Sequence, residues 1–306
     1  MKVLNEKIEY LNSKHDDKKE DALPRVKNWQ MALIRASFQT IGAVFPKIMA
    51  QKAYEIFTTP RWRAQHTRTD AIIDAAKISD FLFQNETVKL YEWGEDAPII
   101  LLAHGWESRG TALRMYVPKL LEKGFKVVAF DAIGHGDSTG KMNNMPQNAK
   151  TIAAIIEHFG GIYGAIGHSF GCSSLIFALE DVNNDLQIEK LVFLAVPHKI
   201  SKIVNGYLKM IKAPDAVKHH FYEKISQLNG RDFRSVDVAA AAPPSVKVGK
   251  LLLVHDKLDK VTTIDAAENV VKNWENAQLL VTEGYGHFRL AKNPDVVRKI
   301  VSFFES

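Results

Sequence analysis

From residue 98 onward the chain alternates short apolar runs with helix-length segments. Residues 98–102, 126–130, 162–166, 191–196, 250–254 and 278–281 are each brief and apolar, which predicts strands buried on both faces. Helical segments are expected near 111–122, 147–159, 172–179 and 294–304. That rhythm predicts an α/β fold, a mostly parallel central sheet flanked by helices, with reactive groups at the carboxyl ends of its strands. Just before it, Phe81 and Phe83 alternate on one side of Asn85 and Glu86, and Val88 and Leu90 on the other. This pattern predicts a hairpin at a sheet edge. Two stretches break the rhythm. Residues 28–57 place Leu33, Phe38, Ile41, Phe45 and Ile48 at helical spacing, interrupted near Pro46, behind a charged lead-in over 1–22. Residues 197–249 have helical character and no buried strand. The expected organisation is therefore an N-terminal helical extension over 1–75 and a main domain over 76–306, with a short helical cap inserted at about 197–249.

Composition narrows the function classes. The 306 residues are 46% hydrophobic and 25% charged, as in ordinary globular chains. A single cysteine, Cys172, excludes an internal disulfide and fits a reducing compartment, so a cytoplasmic location is expected. The net charge is +5, with its densest basic stretch between Arg25 and Arg68. No nucleic-acid motif accompanies that charge, and solvated helix faces account for it. The first 21 residues lack the apolar core of a signal peptide. The longest uncharged run in the N-terminal helices, 36–46, is too short to span a membrane. Stable membrane insertion is therefore not expected. Residues 31–57 pack on the core or lie on a membrane surface, and packing is the preferred reading.

The chemistry concentrates at predicted strand ends. Gly167-His168-Ser169-Phe170-Gly171 lies between a buried strand and a helix. There a strained turn presents a serine clear of the sheet, and its flanking positions must be small. The motif is short enough to arise by chance, so its setting carries the assignment of Ser169 as nucleophile. A serine needs a base, and the base an orienting acid. His287, in a glycine-flanked loop beyond the strand at 278–281, is the candidate base. Asp259 is preferred as acid over Asp256, which shares its loop, because Asp259 precedes a helix entry at Val261-Thr262-Thr263. His255 ends a strand too, but it precedes both aspartates. The N–H groups of Phe170 and of Trp106, in His104-Gly105-Trp106, are the candidate oxyanion donors.

With these residues in place the chain from about 98 onward resembles the α/β-hydrolase superfamily. Within it, His104-Gly105-Trp106 and the segment from Asp131 to Ser138 resemble the monoacylglycerol-lipase and serine-aminopeptidase-like branch. The resemblance implies that Asp131–Ser138 is a structural loop, despite its His135 and Asp137. It does not reach residues 1–75. The expected activity is cleavage of a small carboxylic ester, or a related thioester or amide, through an acyl-serine intermediate. No cofactor and no metal are called for. A non-catalytic ligand-binding protein that kept the fold is the alternative. Tyr285, Phe288, Tyr207 and Phe221 are the candidate lining of a substrate pocket, the last two from the cap.

Overall fold

The computed structural model describes residues 7–11, 27–65, 69–181, 187–197, 199–230, 232–235 and 247–306. Nine strands form one sheet: β1 (Ile8–Tyr10), β2 (Lys77–Phe83), β3 (Glu86–Trp93), β4 (Ile99–Ala103), β5 (Lys126–Phe130), β6 (Gly164–His168), β7 (Gln187–Leu194), β8 (Lys247–Asp256) and β9 (Ala277–Thr282). Their order is β1-β9-β8-β7-β6-β4-β5-β3-β2, parallel except where β3 meets β5 and β2 meets β3. The expected edge hairpin is present. Its turn falls on Gln84 and Asn85, both at positive φ (48° and 66°), the geometry that matches the twist of a two-residue hairpin.

Alternation along the parallel strands feeds two apolar layers. Ile100, Leu102, Val192, Leu194, Leu252 and Val254 join one core with Leu113 and Leu120 and with Val297, Ile300 and Phe304 of the C-terminal helix. Leu101, Leu191, Phe193, Leu251 and Leu253, of opposite parity, are equally buried. Eleven α-helices are described: α1 (Asn28–Val44), α2 (Pro46–Thr58), α3 (Ala71–Asp74), α4 (Val117–Glu122), α5 (Met145–His158), α6 (Phe170–Asp181), α7 (Ile200–Met210), α8 (Asp215–Asn229), α9 (Asp265–Asn273), α10 (Gly286–Arg289) and α11 (Pro294–Glu305).

The chain divides into two compact units, drawn differently from the expected extension and cap. One comprises residues 1–20, 60–198 and 238–306; the other comprises Asp21–Thr59 and Lys199–Asp237. Residues 8–10 add a strand to the sheet edge, where Ile8 pairs with Leu279 and Tyr10 with Val281. Lys7 Nζ fixes that strand by donating to the carbonyls of Trp274 and Glu275 at 3.0 and 2.7 Å. In the second unit α1 and α2 share a core with α7 and α8, built from Phe38, Met49, Ala53, Tyr54, Val204, Leu208, Val217 and Phe221. Of the five apolar residues at helical spacing in the N-terminal helices, only Phe38 is buried. Leu33 and Ile41 are exposed because α1 makes its contact through Phe38 and Gly42, and Phe45 and Ile48, beyond the end of α1, are exposed as well.

Candidate active site

Four loops leave the carboxyl ends of parallel strands on one sheet edge and carry every candidate catalytic residue. They follow β4 (Trp106), β6 (Ser169, Phe170), β8 (Asp259) and β9 (His287). The β6 loop is a sharp strand–turn–helix elbow. Ser169 adopts φ +51°, a region that non-glycine residues seldom enter, while its N–H donates to the Leu194 carbonyl at 2.9 Å. Both flanking glycines are forced by close approach. A Cβ on Gly171 would lie 2.2 Å from the carbonyl oxygen of Ala103, and one on Gly167 would lie 3.0 Å from the Cys172 backbone. Elbow, β4 and α6 thus meet at backbone distance, which holds Ser169 half-buried at the start of a helix.

The β8 and β9 loops bring Asp259 and His287 together. His287 Nδ1 stands 2.7 Å from Asp259 Oδ2, with both side chains almost wholly buried. A carboxylate oxygen accepts, so the imidazole proton sits on Nδ1 and Nε2 keeps its lone pair. The other donors to Asp259 are the N–H groups of Val261 and Thr262 on Oδ1, at 2.7 and 2.9 Å, and the Thr262 hydroxyl on Oδ2, at 2.9 Å. Burial alone would raise the pKa of this carboxyl. The hydrogen bond and charge of His287, with the Thr262 and Val261 amides, outweigh it and hold the pKa below the usual value. His168, next to Ser169, approaches the carbonyl of His287 through Nε2 at 2.9 Å and so ties the elbow to the β9 loop. Burial, then the neighbouring His287, pushes the His168 pKa down to about 3, so its ring is a neutral donor.

The other aspartate of the β8 loop does different work. Asp256 is fully buried and does not contact His287 among the described hydrogen bonds. Its Oδ1 accepts the N–H groups of Leu258 and Gly284 at 2.9 and 3.2 Å. Its Oδ2 accepts the Tyr285 N–H at 2.9 Å and the Thr282 hydroxyl at 2.8 Å. One carboxylate thereby staples the β8 loop to the β9 loop. His255 braces the same region, with Nε2 3.0 Å from the Thr262 carbonyl.

The β4 loop is held from three sides. His104 Nδ1 is 2.7 Å from the Gly105 carbonyl, and its Nε2 accepts the Ala132 N–H at 3.0 Å. Burial brings its pKa down to about 4. Glu107, buried at φ +55°, takes three bonds from Arg61: the backbone N–H at 2.8 Å, Nε at 2.7 Å and Nη2 at 2.6 Å. Sequence reasoning missed Arg61 and Glu107, having assigned Arg61 to solvated basic faces. Arg63 likewise donates to the carbonyls of Ser138 and Gly140. The indole of Trp106 meets the ring of Phe170 edge-on at 5.3 Å, so the residues expected to supply oxyanion donors are neighbours. In the Asp131–Ser138 loop, Asp131 accepts from the N–H groups of Gly110 (2.6 Å) and Asp137 (2.8 Å), the bonding of a structural turn.

The expected pocket residues separate. Phe288 is half-buried beside the site, its ring 4.9 Å from that of His287. Tyr285 instead belongs to the sheet core. Tyr207 and Phe221 pack within the second unit: the half-buried Tyr207 donates its hydroxyl to the Ala53 carbonyl at 2.8 Å, and Phe221 is fully buried against Phe57 and Tyr54. The ring of Phe221 is spent on packing rather than offered to a substrate. Among the described residues, His219, His220 and Glu223 on α8 are a group with metal-compatible spacing, donor atoms within 4.8 Å of one another. They lie on the second unit and take no part in the four loops.

A family model described as the alpha/beta hydrolase family matches residues 100–300. A bifunctional esterase/perhydrolase of Acinetobacter calcoaceticus is 34% identical over 111 residues, which cover 35% of this chain and 40% of that protein. The match thus spans less than half of that relative's length. In structure the chain is similar to an esterase of Pyrococcus furiosus, with a TM-score of 0.58 and 23% identity over 81% of this chain and 97% of that one. It is also similar to an esterase of Exiguobacterium antarcticum, with a TM-score of 0.55 and 18% identity over 72% and 96%. At these identities the structural likeness speaks to the fold.

Proposed function

The chain belongs to the alpha/beta hydrolase family, and we propose that it hydrolyses a carboxylic ester through an acyl-serine intermediate. The observation that carries this reading is the 2.7 Å contact between His287 Nδ1 and Asp259 Oδ2, in a loop bonded to the residue beside Ser169. In the proposed mechanism Ser169 Oγ attacks the ester carbonyl carbon while His287 Nε2 takes its proton. Asp259 holds the imidazole in the required tautomer and stabilises the imidazolium that forms. The main-chain N–H groups of Trp106 and Phe170 hold the oxyanion. Collapse of the intermediate breaks the C–O bond, and the departing alkoxide takes the proton from His287. A water molecule then gives its proton to His287 and attacks the acyl carbon; breaking the bond to Ser169 Oγ releases the acid and restores the serine. The half-buried rings of Trp106, Phe170 and Phe288 suit an apolar acyl group.

A fluorophosphonate probe tests the nucleophile directly. The wild-type protein should be labelled once and lose turnover of p-nitrophenyl esters, and Ser169→Ala should be neither labelled nor active. Removal of a triad serine costs roughly a millionfold in a well-studied protease. Undiminished turnover by a folded Ser169→Ala protein would overturn the reading.

A further inference from the structure

Helix α1 carries one charged side chain in 17 residues, Arg35, and its Nε donates to the Met210 carbonyl at 2.8 Å. Phe38 and Gly42 mark the buried edge. At about 100° per residue the opposite ridge runs through Trp29, Leu33, Ala36, Thr40 and Val44, all exposed. Past the turn into α2, Phe45 and Ile48 are exposed as well. Trp29, Leu33, Val44 and Ile48 are each 60% exposed or more. Exposed apolar residues scattered singly are ordinary, but a continuous uncharged ridge marks a surface that something covers.

Charge indicates what covers it. The second unit holds 13 Lys and Arg against 6 Asp and Glu, a net +7, whereas the rest of the chain holds 27 against 29, a net −2. The cations include Lys27 at the head of α1, Lys47 between the exposed Phe45 and Ile48, and Lys52. A second copy of this chain would bring one strongly positive surface against another. An apolar ridge bordered by lysines, with a tryptophan at one end, is the pattern of a helix lying in the headgroup region of an anionic bilayer. We propose that α1 and the α1–α2 turn form a docking surface for an anionic lipid bilayer, with α1 lying in the interface plane. Among the described residues no helix is long and apolar enough to cross a membrane, so the contact is peripheral.

Sedimentation of the full chain with sucrose-loaded vesicles tests this without any reading of turnover, so its outcome is separate from that of the catalytic proposal. The protein should pellet with phosphatidylcholine vesicles containing about 30% phosphatidylglycerol. It should pellet much less with phosphatidylcholine alone, or when salt is raised from about 0.1 to about 0.5 M. Brominated lipids should quench tryptophan emission, and Trp29→Phe should lose most of that quenching. Leu33→Glu with Val44→Glu should weaken partitioning at least about tenfold, since each change takes an apolar side chain out of the bilayer contact and adds a repelled charge. Both positions are largely exposed, so the melting temperature should stay near wild type, and a variant that melts early is replaced by Leu33→Gln with Val44→Gln. No binding to anionic vesicles, or equal binding by the variant, overturns the proposal. So does a wild-type dimer in light scattering that the variant dissolves, with no vesicle binding: the ridge is then a protein–protein interface.

Discussion

Asp256 and Asp259 lie three residues apart on one loop, and the same substitution should do opposite things to them. In Asp259→Asn the amide oxygen can stay where Oδ1 is, accepting the N–H groups of Val261 and Thr262. The NH2 group then faces Thr262 Oγ1 and His287 Nδ1, and both can accept if the imidazole moves its proton to Nε2. The fold tolerates the change, but the lone pair that would take the Ser169 proton is gone. A loss of about 10⁴-fold in kcat is expected, with melting close to wild type. Asp256→Asn has no such refuge. Either oxygen position faces at least one backbone N–H, from Leu258 and Gly284 on one side or Tyr285 on the other. The least costly placement turns the NH2 toward Tyr285 and lets the Thr282 hydroxyl accept. The Tyr285 N–H then loses its acceptor and the Thr282 hydroxyl proton must be redirected, at about 1–3 kcal/mol for the stranded N–H. For a domain of this size about 2 kcal/mol lowers Tm by roughly 4–8 °C. Well below the melting range its kcat should be within about tenfold of wild type, because the contact of Asp259 with His287 is untouched. Calorimetry and p-nitrophenyl ester kinetics on both variants read the two effects separately. A stable but inactive Asp256→Asn beside a destabilised, active Asp259→Asn would refute the division of labour.

Three further outcomes are expected. Burial lowers the pKa values of His104, His135 and His168 to about 4, 3 and 3, whereas in the unfolded chain each titrates near the ordinary 6.5. The unfolded state therefore binds more protons below pH 6.5, so stability is full above that pH and falls by about 4 kcal/mol per unit for the three together; urea midpoints unchanged between pH 7 and pH 5 would contradict their burial as neutral rings. Arg61→Ala removes two side-chain donors from the buried Glu107 and should cost about 1–3 kcal/mol, since the half-exposed Arg61 leaves room for water, with part of the loss restored by adding Glu107→Gln; a melting temperature unaffected by Arg61→Ala would show that the clamp does not hold the β4 loop. Phe221→Ala empties the core of the second unit and should cost about 3–5 kcal/mol, with the ester chain-length preference unchanged; a shifted chain-length preference at unchanged Tm would restore Phe221 as a pocket residue.

The sheet was legible because strands buried on both faces leave unbroken apolar runs, and β4 and β5 begin and end within a residue of their expected bounds. β1 was not, since three half-exposed residues carry no period. The second unit was hidden for a different reason. It joins residues 28–58 to 200–235 across the chain, and nothing local in either segment announces the other. Helical spacing in α1 was read correctly as a helix, but a period does not say which face turns inward. Leu33 and Phe38 obey one pattern and end on opposite sides.

The site poses the harder problem, because buried anchors and reacting groups are drawn from the same residue types. His104, His168, His255 and His287 all lie at or just beyond the carboxyl ends of strands, and so do Asp131, Asp256 and Asp259. Only their partners separate them. His104 has both ring nitrogens engaged by backbone groups, which leaves none to take a proton. His168 and His255 each spend Nε2 on a carbonyl. His287 is the one whose Nδ1 meets a carboxylate, the arrangement that makes its remaining nitrogen a base. The aspartates sort in the same way: Asp131 and Asp256 accept from N–H and hydroxyl groups that fasten loops, whereas Asp259 accepts from an imidazole. Four mobile-length loops can hold a reactive geometry only if something other than apolar packing fixes them, and here neutral histidines and saturated carboxylates do so. That dependence ties the acid lability of the fold to the placement of its proposed catalytic groups. Protonating the anchors as the pH falls toward 4 should disorder the loops that carry Ser169 and His287 before the apolar sheet beneath them gives way.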